Sequence, residues 1–126
     1  MIVAGVGCRR GTSAAEIEAA IVAALAQAGP VRQLDAVASA AFKGEEPGLA
    51  AAAAARGVPL ILVTQSDLER AGGLATHSRR IVGLMGVGSV AEAAAIAASG
   101  PNARLIVPRI VVGAATCAVA SSGEAP

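Results

Sequence analysis

Short runs of β-branched and leucine residues (IVAGV near the start, LILV at 60–63, RLIVPRIVV at 104–112) alternate with longer stretches in which apolar residues recur every three or four positions. The first pattern suits strands covered on both faces, and the second suits helices with one apolar side. From Ser13 onward Ile17, Ala20, Ile21, Ala24, Leu25 and Ala28 keep the helical spacing until Gly29-Pro30 stops it. LDAVASA reads as a weaker strand, because alanine is a poor strand former. Pro47 at a first-turn position, an alanine run and Arg56-Gly57 mark a second helix. After LILV, SDLE predicts a short capped turn of helix, Ser78 to Met85 another, and SVAEAAAIAAS a helix that begins at Ser89 and ends at Gly100-Pro101. The last two apolar runs, RLIVPRIVV and AATCAVA, are split by Gly113 and predict a closing hairpin, with Pro108 at an edge or bulge. The expected fold class is α/β: a single three-layer α/β/α domain with a mixed sheet of about five strands over residues 1–120, followed by a disordered tail at 121–126.

Composition narrows the functional classes. The chain is 55% hydrophobic, yet Phe42 is its one aromatic residue, so Ala, Val, Ile and Leu must build the core and base-stacking platforms are excluded. A formal net charge of +1 with 15% charged residues gives no global basic field, so any anion site must be local. Apolar runs are broken by Gly, Pro or Arg before the roughly 20 residues a membrane span needs. No basic segment precedes the first apolar run, which is the wrong arrangement for a secretory signal. Cys8 and Cys117 lie near opposite ends without a CxxC motif, so neither a disulfide framework nor a zinc site is indicated. These features predict a soluble cytoplasmic protein with no nucleic-acid or membrane partner, no metal and no cofactor.

The stretch GVGCRRGTS concentrates glycines, two adjacent arginines and a helix cap between a strand and a helix. It fails the dinucleotide fingerprint, because Arg10 occupies the place of the third glycine, and it fails the Walker pattern for want of a lysine. Two readings remain. Helix-start amides beside Arg9 and Arg10 would favour a carboxylate, since each guanidinium can bind one bidentately; alternatively the segment is a tight turn with two solvated arginines. GVGSVAE at 86–92 meets an alternative dinucleotide spacing, but the preceding SRRIVGLM looks helical, so it reads as one helix ending at Gly86 and another opening at Ser89.

Ser13, Ser66 and Ser89 are each followed three residues later by glutamate, the pattern of a capping box. For Glu92 the alternatives are that cap or a catalytic carboxylate. His77 reads as a surface or cap residue. Cys8 lies near a helix start that could activate a thiol or is a small buried core residue, whereas Cys117 reads as buried in a strand. Lys43 is a loop lysine that also lies at a strand-to-helix crossing, where ligands of α/β sheets gather. Arg79, Arg80 and Arg109 are further cationic candidates.

Taken in order, GVGCRRGTS, SAAFKGEEPGL, HSRRIVGLMGVGSVAEAAAI and LIVPRIVVGAATCAVA resemble the CobE family of cobalamin biosynthesis, whose domain also forms the C-terminal part of CbiG, the cobalt-precorrin-5A hydrolase of the anaerobic pathway. The resemblance implies a compact three-layer domain with a place in corrin-ring assembly. In CbiG the lactone-opening chemistry is associated with the larger protein, and the free-standing protein with the aerobic pathway. Carried over motif by motif, the implied ligand-binding residues are Gly7, Cys8, Arg9, Arg10, Gly11 and Thr12 from the first block. The second supplies Lys43 and Glu46, and the third Ser78, Gly86, Val87, Gly88, Ser89 and Glu92. Arg109 stands where such proteins often carry lysine, and Cys117 where they carry an aliphatic residue. Corrin precursors bear acetate and propionate side chains, so the implied ligand is a corrinoid or precorrin held by several cationic and amide donors, with other corrin-pathway enzymes as further partners. The expected role is an accessory or carrier protein. The alternative is a hydrolase or isomerase of a precorrin, with Glu92, Lys43 or Cys8 as the catalytic group.

Overall fold

A computed structural model describes residues 1–29, 33–41, 46–75, 87–100 and 102–122. Along the chain run β1 (Ile2–Cys8), α1 (Ala14–Ala28), β2 (Ala36–Ala40), α2 (Pro47–Arg56), β3 (Leu60–Val63), α3 (Gln65–Ala75), α4 (Val87–Ser99), β4 (Arg104–Val112) and β5 (Ala115–Ser121). The strands form one sheet in the order β3-β2-β1-β5-β4. β1, β2 and β3 are parallel, and the β4–β5 hairpin joins through β5, which lies antiparallel to β1. The mixed α/β sheet predicted from the sequence is therefore what forms.

Each face of the sheet carries its own core. On one, Val6, Cys8, Val37, Cys117 and Val119 meet Ile17, Ile21 and Ala24 of α1 and Leu49, Ala52 and Ala53 of α2. On the other, Val3, Ala36, Ala38 and Ala120 meet Leu68 and Ala71 of α3 and Ala93 to Ile96 of α4. The result is three layers, helices over and under a buried sheet. The weak LDAVASA signal resolves into β2, buried along its whole length beside β1. Low propensity is overridden there because only small side chains let helices approach so closely from both sides. Gly5 shows how close: a Cβ on it would overlap the Ala91 carbonyl and come within 2.9 Å of the Ala95 methyl, so α4 lies directly on the β1 backbone.

Local signals placed α1 and α2 well. Ser13 Oγ accepts the Glu16 N–H at 3.1 Å, Gly29 ends α1, and Gly57 (φ 70°) ends α2 after Pro47 opens it. Three expectations shift. α3 is a full helix of 11 residues rather than a short SDLE turn, and its start is capped by Thr64, whose Oγ1 accepts the Asp67 N–H at 3.2 Å, so Ser66 lies inside the helix. α4 begins at Val87, which puts Ser89 within its first turn rather than at a cap. The ordered chain also passes residue 120: β5 runs to Ser121, and Ser122 donates from its N–H to the Met1 carbonyl and from its Oγ to the Ser99 carbonyl. The helix expected at Ser78 to Met85 lies outside the described residues.

The predicted hairpin closes through Gly113 (φ 59°). β4 is an edge strand, and its register shifts around Pro108, between Val107 and Ile110. A residue without an N–H breaks the ladder least at such a place. No described helix is long and apolar enough to cross a membrane.

Candidate functional site at the carboxyl edge of the sheet

Because β1, β2 and β3 are parallel, their carboxyl ends and the starts of α1, α2 and α3 share one edge. α4 reaches the same edge from the other face. Its last residue, Ser99, is tied to Ser122 at the opposite end of the sheet, and Ala91 and Ala95 lie over Gly5, so its first turn points back toward the end of β1. The connections through α1 and α2 carry the chain to one side of β1, and those through α3 and α4 return it to the other. A crevice at such a reversal, outside the carboxyl ends of strands, is where open α/β sheets take ligands.

The GVGCRRGTS segment stands at this edge, between β1 and α1. Gly7, one residue before the end of β1, accepts from Thr116 Oγ1 at its carbonyl at 3.3 Å. Arg9 to Thr12 make a tight turn: the Thr12 N–H and Oγ1 both donate to the Arg9 carbonyl, at 3.1 and 2.6 Å, and Gly11 takes φ 78°. Arg10 stays on the negative-φ side, so the turn is of type II, whose third position favours glycine. That geometry buries Thr12 and leaves both Arg9 and Arg10 exposed. Neither guanidinium has a carboxylate partner among the described residues.

Several amides of this turn are already used. The Arg9 N–H donates to the Ala114 carbonyl at 3.2 Å, and the Gly11 N–H to Glu46 Oε1 at 2.8 Å. Glu46 stands just before α2 without capping it; its carboxylate reaches across to the turn instead. The two loops are also in van der Waals contact, since a Cβ on Gly48 would strike the Thr12 carbonyl. The sequence-based expectation that these amides receive a ligand carboxylate is thus corrected for Gly11, whose donor is satisfied within the fold.

The proposed acid–base and nucleophilic candidates fall in different surroundings. Cys8 is 2% exposed and packs in the core beneath α1 and α2. Glu92 is 1% exposed, and its Oε2 accepts the Arg109 N–H at 3.1 Å. Through this bond Glu92 bridges α4 to β4 at the bulge, receiving an amide that the register shift takes from the ladder. Val87, Gly88 and Ser89 form the first turn of α4. Lys43, Ser78 and Gly86 lie outside the described residues, as do His77, Arg79 and Arg80.

Cys117 is fully buried, and burial pushes its thiol up to about 12, with the Arg56 guanidinium pulling weakly the other way. It is a packing residue. No cluster of metal-ligating side chains occurs among the described residues. An open groove of about 540 Å3 lies at the opposite edge, between the ends of α1 and α2, lined by Val22, Leu25, Leu34, Arg56 and Val58 among others. Arg56 Nε there pairs with Glu18 Oε2 at 3.0 Å, so among the described residues this groove offers no unbalanced charge comparable to the turn at the other edge.

Two hydroxyls escaped the sequence reading, and Glu16, read there as part of a cap, has a second role. Ser39 Oγ donates to the Val6 carbonyl at 2.7 Å, Thr116 Oγ1 to that of Gly7, and Glu16 Oε2 accepts the Ala114 N–H at 3.3 Å. All three brace the end of β1 and the hairpin beside it. Ser39 and Thr116 could have been flagged as hydroxyls inside otherwise apolar strands.

Fold and rim together define a small α/β domain that presents cations at a topological switch point. The chain belongs to the CobE/CbiG C-terminal family and is a protein of the cobalamin biosynthesis pathway. A family model for the cobalamin synthesis G C-terminus matches residues 2–120. Protein CobE of a Sinorhizobium species is 40% identical over 121 residues, 94% of this chain and 79% of that protein. Among solved structures, cobalamin biosynthesis protein chiG from Agrobacterium tumefaciens superposes with TM-score 0.80 at 40% identity, covering 98% of this chain and all (100%) of that one. The crystal structure of CobE gives TM-score 0.78 at 34% identity, over 95% and 89% of the two chains. A cobalamin biosynthesis protein G homologue from Sulfolobus solfataricus gives 0.71 at 25%, over 98% of this chain but 37% of its own.

Proposed function

We propose that the carboxyl rim is a receptor for a carboxylate-rich corrin precursor, which the protein holds and hands to other corrin-pathway enzymes without transforming it. The observation that carries this reading is the pair of exposed guanidiniums, Arg9 and Arg10, fixed on a hydrogen-bonded turn at the carboxyl edge of the sheet with no internal carboxylate partner among the described residues. Planar forked donors match acetate and propionate groups, and ligand carboxylates engage these side chains rather than the Gly11 amide that Glu46 occupies. The first turn of α4, which comes to the same edge, offers a second helix start to such a ligand. Membership of a cobalamin biosynthesis family supports this choice of ligand class.

Two of the three candidate catalytic groups support the carrier over the enzyme. Cys8 is committed to the core and Glu92 to the Arg109 amide, so neither stands at the exposed rim.

Titrating the protein into purified corrin intermediates and following their visible absorption tests both. A carrier shifts the chromophore stoichiometrically and returns it unaltered on denaturation. Conversion of excess intermediate by trace protein, abolished by Glu92→Gln, would overturn the proposal.

A further inference from the structure

We infer that the receptor at the carboxyl rim continues onto the outer strand of the closing hairpin, where Arg109 and Val111 form a second contact for the same ligand. This rests on the corrin-receptor reading and adds to it a second cationic subsite with an apolar rest beside it. The sheet register places the two residues. Gly7 pairs with Thr116 and Thr116 with Val111, so the three form one row across β1, β5 and β4, next to the row of Cys8, Ala115 and Val112 at the edge. Two strand spacings put Val111 about 10 Å from Gly7. Ile110 and Val112 pack on the α1/α2 core, and successive strand residues face opposite sides, so Val111 belongs to the α4 side. Ala91 of α4 lies over Gly5. The four helical residues back to Val87 span about 6 Å, close to the rise from Gly5 to Gly7, which brings the first turn of α4 level with this row. Gly7 and Thr116 are buried there, whereas Val111, at the outer end of the row, is 67% exposed, the most open large apolar side chain among the described residues.

Arg109 stands two residues back from Val111 on the same strand, exposed and without a carboxylate partner among the described residues. Its backbone is held in a special way. The register shift between Val107 and Ile110 leaves its N–H out of the β4–β5 ladder, and Glu92, 1% exposed, reaches from α4 to accept it at 3.1 Å. Burying a carboxyl group carries a desolvation cost, and here that cost is spent on fixing one residue of an edge strand. Bulges re-aim side chains and recur beside functional sites, so the bulge and the Glu92 bridge together fix a cation whose partner the described fold does not supply. Arg104, at the other end of β4, lies at the amino edge, away from the rim. A corrin precursor is an apolar macrocycle edged with carboxylates, so an arginine beside an open valine matches it in kind. With Arg9 and Arg10 after β1 and Arg109 on β4, the two cationic points stand on different strands and suit carboxylates on separate sides of one ring.

Absorbance titration with cobyrinic acid, a corrin whose side chains end in free carboxylates, tests the second contact. Arg109→Ala keeps the backbone N–H that Glu92 holds and should weaken binding about tenfold, the loss of one charge-assisted contact, with a smaller salt dependence. Val111→Asp, at an exposed position, should weaken it at least as much. Arg104→Ala, which removes the same charge from the far end of the same strand, should bind as wild type. Combined with Arg9→Ala and Arg10→Ala, Arg109→Ala should multiply their loss, because separate contacts to one ligand add in free energy. Wild-type affinity in Arg109→Ala and Val111→Asp, while Arg9→Ala with Arg10→Ala is weakened, overturns the second contact and leaves the rim receptor standing. Equal losses in Arg109→Ala and Arg104→Ala overturn it too, because a general field and not a contact would then be at work. Wild-type affinity in every variant sinks the rim receptor and the second contact together. If Arg109→Ala or Val111→Asp loses the wild-type far-ultraviolet spectrum, Arg109→Gln and Val111→Ser take their places with the same outcomes.

Discussion

Arg9 and Arg10 are the residues on which the corrin-receptor reading stands, and their removal has a definite signature. Hydrogen bonds to charged groups contribute about 1.5–3 kcal/mol each, so replacing both arginines with alanine should weaken corrinoid binding at least about tenfold. The residual binding should depend less on salt, since screening acts on the lost pairs; unchanged affinity and salt dependence would show that the turn is only a turn. Glu46→Gln keeps an acceptor for the Gly11 N–H while removing a negative charge next to that turn, so it should tighten binding at low ionic strength, measured by the same absorbance titration. Buried Glu92 separates acceptor from charge in another way. Glu92→Ala leaves the Arg109 amide without its 3.1 Å acceptor and opens a void, costing about 2–4 kcal/mol in urea unfolding, whereas Glu92→Gln retains an oxygen and should cost less. Cys117 has a pH signature. Its thiol is raised from 9.0 to about 12 in the fold, so the folded state keeps a proton that the unfolded chain has released, and stability is whole below about pH 9 and falls as pH rises toward 12. The limiting slope for one group is about 1.4 kcal/mol per pH unit, and Cys117→Ala should flatten the alkaline limb of the stability curve by up to that amount.

At the scale of elements, the contact that most constrains the architecture is α4 lying against β1 at Gly5. A methyl group there meets the backbone of α4 at Ala91 and Ala95, which cannot move aside as a flexible side chain would. Gly5→Ala should therefore cost at least about 3 kcal/mol, the upper end of overpacking penalties, and lower the midpoint of thermal unfolding accordingly. An effect below about 1 kcal/mol would mean that α4 can slide on the sheet, and with it the first turn of α4 at the carboxyl edge. Elements whose ends depend on neighbouring residues were readable beforehand. Ser13, Gly29, Pro47 and Gly57 act within one turn of where they stand, through a side-chain acceptor, a left-handed or otherwise non-helical glycine, or a missing N–H. α3 was not. Ser66-x-x-Glu69 and Thr64-x-x-Asp67 are overlapping caps of similar quality in sequence, and the end of β3 at Val63, set by pairing with Ala40, leaves Thr64 as the residue at the turn.

For the whole molecule, the α1/α2 surface lies apart from the rim, so the folded Val22→Glu variant should bind corrin intermediates with the wild-type affinity in the same absorbance titration; a loss of binding there would mean that the ligand reaches beyond the rim. The sequence by itself determined the alternation of strands and helices, the closing hairpin with Pro108 near a bulge, and the cationic turn between β1 and α1, because each rests on forces acting over a few residues: hydrophobic periodicity, capping and backbone restriction. It also carried the family, since four separated motifs occur in order. Only the tertiary structure decided that Glu46 crosses to the Gly11 amide 35 residues away and that Glu92 accepts the Arg109 amide across the layer. A buried carboxylate or amide takes the partner that packing brings within hydrogen-bond reach, and closely packed sheets and helices select that partner from residues far apart in the chain.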